Sequence, residues 1–402
     1  MPVAFHFPRC SRFWSKTGSQ AARPQKDLTR FFVESSSRES VPDRIYSVKK
    51  MMRDPTMAID SFNRRMVMKG VFCTSFWAAT RSHASAATAD DLWEDYKQRF
   101  MTSDGRIIDA HDGVASHSEG QGYGMLLAVA FDDQTSFDRL WSWTATTLRR
   151  PQDALFSWRY INNSVPHVPD HNNATDGDLL IAFALTNAAR KWQRLHLLMQ
   201  AKQIYSSIRK KLLVNFNGRL VLLPGVSGFL SPGQATLNMS YYVIPSMQAA
   251  QEFDDTGIWA QAIHDGMDLL RQARFGRWGL PPDWLTLGKD RNMPEIASGW
   301  PPRFSYDAIR VPLYLQWGDM LDRDIASPFV RYWHAYTSGG LPAWIDLKTD
   351  ETAPYAAPLG FHAIGAACGF ENGFSPVLNR SIDYYSASLV LLSNIVTAQS
   401  LR

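Results

Sequence analysis

Three short blocks of this 402-residue chain hold side chains that could do acid–base chemistry. The first is Ser118-Glu119-Gly120-Gln121-Gly122-Tyr123-Gly124-Met125, where one carboxylate stands in a glycine-rich run ahead of an apolar helical pattern. Such glycines allow a sharp turn or the close approach of a large ligand. The same stretch reads equally well as a helix start with an acidic first turn. The second block, Asn172-Asn173-Ala174-Thr175-Asp176-Gly177-Asp178, opens a small, apolar helix. One of its aspartates suffices as a cap, and the other could bind hydroxyls or orient water. In the third, Phe304-Ser305-Tyr306-Asp307-Ala308-Ile309-Arg310, Asp307 and Arg310 are three apart on one helical face. An exposed ion pair there would be common and weak, but the neighbours are aromatic or apolar, which places it near a partly buried wall. Rings accompany the blocks: Tyr123, Trp158, Tyr241, Trp284, Tyr306 and Tyr385. Taken singly each is an ordinary core residue; together, beside carboxylates, they suggest faces for stacking on pyranose rings.

Long helical periodicities must position these groups. Apolar spacing predicts helices over 90–100, from about Gly122 onward, and over 134–148, 178–192, 195–213, 242–253, 256–275, 307–321, 325–336, 360–370 and 382–397. Strand signals are short, chiefly Arg219–Leu223. Eleven helices with short connections predict an all-α domain of antiparallel pairs, closed as a ring or stacked as a solenoid. In a ring, Glu119, Asp176 and Asp307, each at a helix start, would meet at one rim.

The net charge of +4 is misleading, because residues 1–86 hold 15 of the 42 Lys/Arg and only 6 of the 38 Asp/Glu. The remainder is acidic, which gives no footprint for nucleic acid. Cys10, Cys73 and Cys368 show no metal-ligand spacing, and no metal or organic cofactor is expected. Residues 1–60 read as a disordered or untranslated extension, with Met51, Met52 and Met57 as alternative starts. Residues 61–86 read as a cleaved export signal: Arg64-Arg65 and Lys69, a short apolar run, then Ala84-Ser85-Ala86. Residues 87–402 would be the mature domain, secreted or periplasmic and without a membrane anchor.

The motifs Ser-Glu-Gly-Gln-Gly-Tyr-Gly-Met, Asn-Asn-Ala-Thr-Asp-Gly-Asp and Tyr-Asp-Ala-x-Arg-x-Pro, in that order, resemble glycoside hydrolase family 8. Within it they are similar to the endo-β-1,4-glucanases of bacterial cellulose-synthesis operons. The resemblance runs from about Asp90 to Val396. It implies an (α/α)6 barrel, with short β-hairpins in its loops, and hydrolysis with inversion. Glu119 would be the general acid, Asp307 the general base, and Asp176 would bind and distort the sugar while its charge keeps Glu119 protonated. Inversion needs two carboxyls roughly 6.5–9.5 Å apart. Arg310 would hold Asp307 ionised. Tyr123, Trp158, Asp178, Tyr241, Trp284, Tyr306, Arg310 and Tyr385 would line the subsites. A β-1,4-glucan chain is the implied partner, with a cellulose synthase complex as a further one. Asp307 favours a cellulase, since relatives acting on xylan or chitosan place the base elsewhere. Met239 stands where the family has Pro, which would loosen that loop. The alternatives are a hydrolase of xylan, mixed-linkage glucan or chitosan, a non-catalytic glycan-binding export component, and a plain helical scaffold.

Overall fold

The computed structural model describes residues 88–110, 114–289, 293–336, 340–374, 378 and 382–400. The expected extension and export signal, residues 1–86, lie outside the described residues. Eleven α-helices are described: α1 (Ala89–Phe100), α2 (Ser118–Ala130), α3 (Gln134–Thr147), α4 (Thr175–Lys191), α5 (Leu195–Lys211), α6 (Ile244–Ala250), α7 (Ile258–Gln272), α8 (Arg310–Trp317), α9 (Arg323–Ala335), α10 (Leu359–Ala367) and α11 (Tyr384–Ser400).

Six of them close a ring. Helix α2 packs on α4, α4 on α6, α6 on α8, α8 on α10, α10 on α11, and α11 returns to α2. The inner helices α2, α4 and α11 are buried on nearly every face, as helices apolar all round must be. Outside them, α1 packs on α11, α3 on α2, α5 on α4 and α7 on α6. Outer α7 and α9 are amphipathic, burying Trp259, Met267 and Leu270 on one and Phe329, Tyr332 and Trp333 on the other. The arrangement is the (α/α)6 barrel that the resemblance implied, which resolves the choice between ring and solenoid.

Among the described residues ten short strands decorate the loops. In chain order they are β1 (Ala115–His117), β2 (Arg159–Ile161), β3 (Leu213–Phe216), β4 (Arg219–Leu222), β5 (Leu230–Ser231), β6 (Gln234–Leu237), β7 (Leu285–Gly288), β8 (Glu295–Ile296), β9 (Arg303–Phe304) and β10 (Ile345–Asp346). Beyond the expected hairpins, β5 to β8 form a four-stranded antiparallel sheet, with Leu237 opposite Leu285 and Gln234 opposite Gly288. Strands of two to four residues are too short to show alternation in sequence. Among the described residues no helix is long and apolar enough to cross a membrane.

Close helix contacts explain the glycines. A Cβ on Gly122 would lie 2.5 Å from Leu180 Cβ of α4, and one on Gly120 would lie 3.2 Å from the Tyr384 ring. Gly124 faces Ile107 and Leu140. The glycines therefore clear space for protein rather than for a ligand, which corrects the reading of the first block. Gly177 is tighter than these: a Cβ would sit 2.8 Å from the Glu119 backbone nitrogen and closer still to Ser118 Oγ. That approach sets the starts of α2 and α4 side by side. Gly177→Ala is expected to lower stability by about 1–3 kcal/mol, read as a lower urea midpoint by circular dichroism. An unchanged midpoint would refute the packing account.

Candidate active site

Each candidate carboxylate stands at a helix start or in the turn just before one. Strand β1 pairs with β2 through Ser116 opposite Tyr160 and His117 opposite Arg159, and Ser118 N donates to Trp158 O at 3.0 Å. This fixes the first turn of α2 and so Glu119. Buried Gln121 knits the preceding loop to the helix: its Oε1 accepts from Ile107 N at 2.6 Å, and its Nε2 donates to Gly105 O at 3.1 Å. Asp176 lies in the first turn of α4. Asp307 lies in a turn just before α8, and Arg310 is that helix's first residue. Helix N-termini carry partial positive charge, so three converging ones favour an acidic site.

Arg310 is the hub. Its side chain is 3% exposed, with Nη1 donating to Asp176 Oδ2 at 3.0 Å and Nη2 to Asp307 Oδ1 at 2.8 Å. Nη1 also contacts Glu119 Oε1, and Nη2 donates to Ser240 Oγ at 2.9 Å. The pair expected between Asp307 and Arg310 is thus one arm of a buried cluster, and Arg310 is not placed as a subsite residue. Exposure separates the carboxylates: the Asp307 side chain is 32% exposed, Glu119 17% and Asp176 3%. Glu119 and Asp307 reach toward solvent, and Asp176 lies beneath.

One guanidinium faces three carboxylates, so charge is not balanced unless protons are retained. Burial pushes Asp176 up to about 7, opposed by the Gly177 amide and by His117. Asp307 is raised well above the usual carboxylate range, first by the protein packed around it, then by the charges of Asp283 and Asp176. Asn238 and Trp284 oppose that rise, Trp284 Nε1 donating to Asp307 Oδ2 at 3.1 Å. Arg310 alone therefore does not set the ionisation of Asp307, as the sequence reading had it.

The other expected contacts divide. Tyr123 is fully buried and offers no ring face; its hydroxyl donates to Glu119 Oε1 at 3.1 Å and meets Tyr314 Oη at 2.9 Å. Asp178 is also buried, accepting from Phe156 N at 2.8 Å and Asn173 Nδ2 at 2.7 Å. It braces the loop that leads to Trp158 and touches no cleft. Both are corrections to the substrate-contact reading. Trp158 is half-buried, stacks on His117 at 5.9 Å and donates to Asp170 at 2.9 Å. Trp284 is stacked with Trp300 at 5.0 Å and Phe229 at 5.7 Å, and Tyr241 meets it edge-on at 6.0 Å. Tyr306 and Tyr385 are half-buried neighbours, joined by the Tyr385 hydroxyl donating to Tyr306 O. At the Met239 turn, Asn238 Oδ1 accepts from Ser240 N at 3.0 Å and Ser240 Oγ at 2.7 Å, which caps a 3-10 turn over 239–241.

Asp283, Asn238, Ser240 and Tyr314 escaped the sequence reading as functional positions. Only Asp283 carried a usable signal, a lone charge within Pro281-Pro282-Asp283-Trp284-Leu285.

Comparison with known proteins agrees with this fold. A probable endoglucanase of Novacetimonas hansenii is 44% identical over 308 residues, covering 76% of this chain and 90% of that protein. An endoglucanase of Cellulomonas uda is 44% identical over 278 residues, covering 69% of this chain and 77% of its own. The solved endo-β-1,4-glucanase CMCax from Acetobacter xylinum superposes with a TM-score of 0.75 at 42% identity, covering 79% of this chain and 99% of that one. The family model for glycosyl hydrolases family 8 matches residues 66–399, which takes in the ring and every carboxylate of the cluster, and the chain belongs to that family.

Proposed function

We propose that this protein is an inverting endo-β-1,4-glucanase that hydrolyses internal bonds of a β-1,4-glucan. The observation that carries the reading is the Arg310 cluster, in which Glu119 and Asp307 both reach the solvent side of one guanidinium while Asp176 stays beneath. Kinship with named endoglucanases supports the substrate class.

In the proposed reaction Glu119 gives its proton to the glycosidic oxygen as the C–O bond breaks. Asp307 takes a proton from the water that attacks the anomeric carbon from the opposite face. Its Oδ1 is held by Arg310 and its Oδ2 by Trp284, which leaves the carboxylate oriented without shutting it away from water. Asp176 lies under the same guanidinium, where it would hold the sugar at the cleavage point and keep negative charge beside the cationic transition state. Retained protons in the cluster are what let Glu119 begin the cycle as an acid.

Proton NMR of early cellopentaose digestion tests the stereochemistry. The α-anomer should appear first, and a β-anomer first would overturn inversion. Asp307→Asn should abolish release of reducing ends from carboxymethyl cellulose with the fold retained. Xylan, lichenan and chitosan in the same assay should give low rates; a preference for one of them would move the substrate class.

The residue 61–86 pattern supports export by a cleaved signal, with the mature chain, residues 87–402, working outside the cytoplasm. Trimming of nascent cellulose beside a synthase complex is the role that fits such a location. Co-purification with a synthase from a cellulose-making strain would test it.

A further inference from the structure

We infer that Asp283 is a positioning residue for Asp307: it anchors the turn that presents the base, and its carboxylate faces that base. The inference rests on the reading of Asp307 as the base.

Asp283 is buried, 9% exposed. Its Oδ1 accepts from Ser305 N at 2.9 Å and from Ala308 N at 2.9 Å, and its Oδ2 accepts from Ser305 Oγ. The Asp307 amide also faces it. Its own amide donates to Arg303 O at 2.7 Å, at the strand that enters the turn. Helix α8 opens without a side-chain cap of its own. A carboxylate from another part of the chain thus satisfies the amide donors that precede this helix, as a cap would. The next residue, Trp284, holds Asp307 Oδ2. One dipeptide therefore fixes both the backbone and the carboxylate of the base.

The charge acts on the base as well. Arg310, Asp176, Asp283 and Tyr385 face Asp307, and Glu119 shares its guanidinium. Tyr385 also faces Asp283. Burial raises Asp283 itself to about 6, so it is ionised above that pH. A negative neighbour makes a carboxylate hold its proton more tightly. The base works ionised, so activity rises with pH through its titration, and neutralising Asp283 should move that acid limb to lower pH.

The test is the pH profile of kcat and KM on cellopentaose for wild type, Asp283→Asn, Asp283→Ala and Asp307→Asn. In Asp283→Asn the Oδ1 can still accept both amides, and the new Nδ2 can donate to Ser305 Oγ. Its acid limb should move down by about one pH unit, with kcat at the optimum within about fivefold of wild type. Asp283→Ala frees the turn, and kcat should fall about 100-fold with KM little changed, the cost of misplacing a reacting group. A limb that stays in place in Asp283→Asn overturns the inference, as does wild-type kcat in Asp283→Ala. If Asp283→Ala fails to fold, the asparagine profile decides alone. Wild-type activity in Asp307→Asn would instead reject the base assignment, a separate result.

Discussion

Glu119→Gln should lower kcat on soluble β-1,4-glucan by about 1,000-fold, the middle of the range for loss of a positioned general acid. KM should change little, because glutamine keeps the length of the side chain and an amide oxygen that can accept from Tyr123 Oη. The discriminating measurement varies the leaving group. A 2,4-dinitrophenyl β-cellotrioside releases a stabilised phenolate that needs almost no protonation, so the variant should lose less than about tenfold on it. Equal losses on both substrates would remove Glu119 from the role of proton donor. The alkaline limb of the pH profile should vanish with it, since that limb reports the acid. Three carboxylates surround one guanidinium, and that charge count keeps a proton in the cluster.

How much of this was legible in the sequence depends on how local each feature is. Glu119, Asp176 and Asp307 stand in contiguous motifs at helix starts, and a helix start is a local signal of caps and periodicity. The eleven helices were legible for the same reason, though α8 begins at Arg310 and leaves Asp307 in the preceding turn. What failed was partner choice. The spacing of Asp307 and Arg310 shows one ion pair, but nothing local shows that the same guanidinium reaches Asp176, 134 positions away, and Glu119. The glycines beside Glu119 could serve a ligand or a helix, and sequence has no way to tell Leu180 of α4 from a sugar. Tyr123 and Asp178 looked like contacts because they stand in the carboxylate motifs; one helical step turns each of them into the core. The β6–β7 pairing joins residues about fifty apart through strands too short to announce themselves.

The same non-local cluster gives the second large effect. Arg310→Met should reduce hydrolysis below detection and destabilise the fold by about 3–5 kcal/mol, the usual cost of removing one partner from a buried ion pair. The side chain is almost wholly enclosed, so solvent cannot replace it. Lysine should not rescue activity: its single ammonium cannot sit at the Nη1 and Nη2 positions together, where Asp176 and Asp307 are bound. The deficit should depend on pH in a definite direction. Asp176 and Asp307 have folded pKa values above their unfolded ones, Asp176 at about 7. Groups of that kind contribute stability that is complete below the unfolded value, near 4, and lost as pH rises through the folded value. Without Arg310 the folded values climb further, so more stability is lost between about pH 4 and pH 8. At low pH the carboxylates are neutral in both proteins, and the wild type then buries a guanidinium with no ionised partner. Urea midpoints should therefore differ most near pH 8 and converge near pH 4. A gap of equal size at both ends would mean that Arg310 acts by filling space, and the shared-charge account of the site would fail with it.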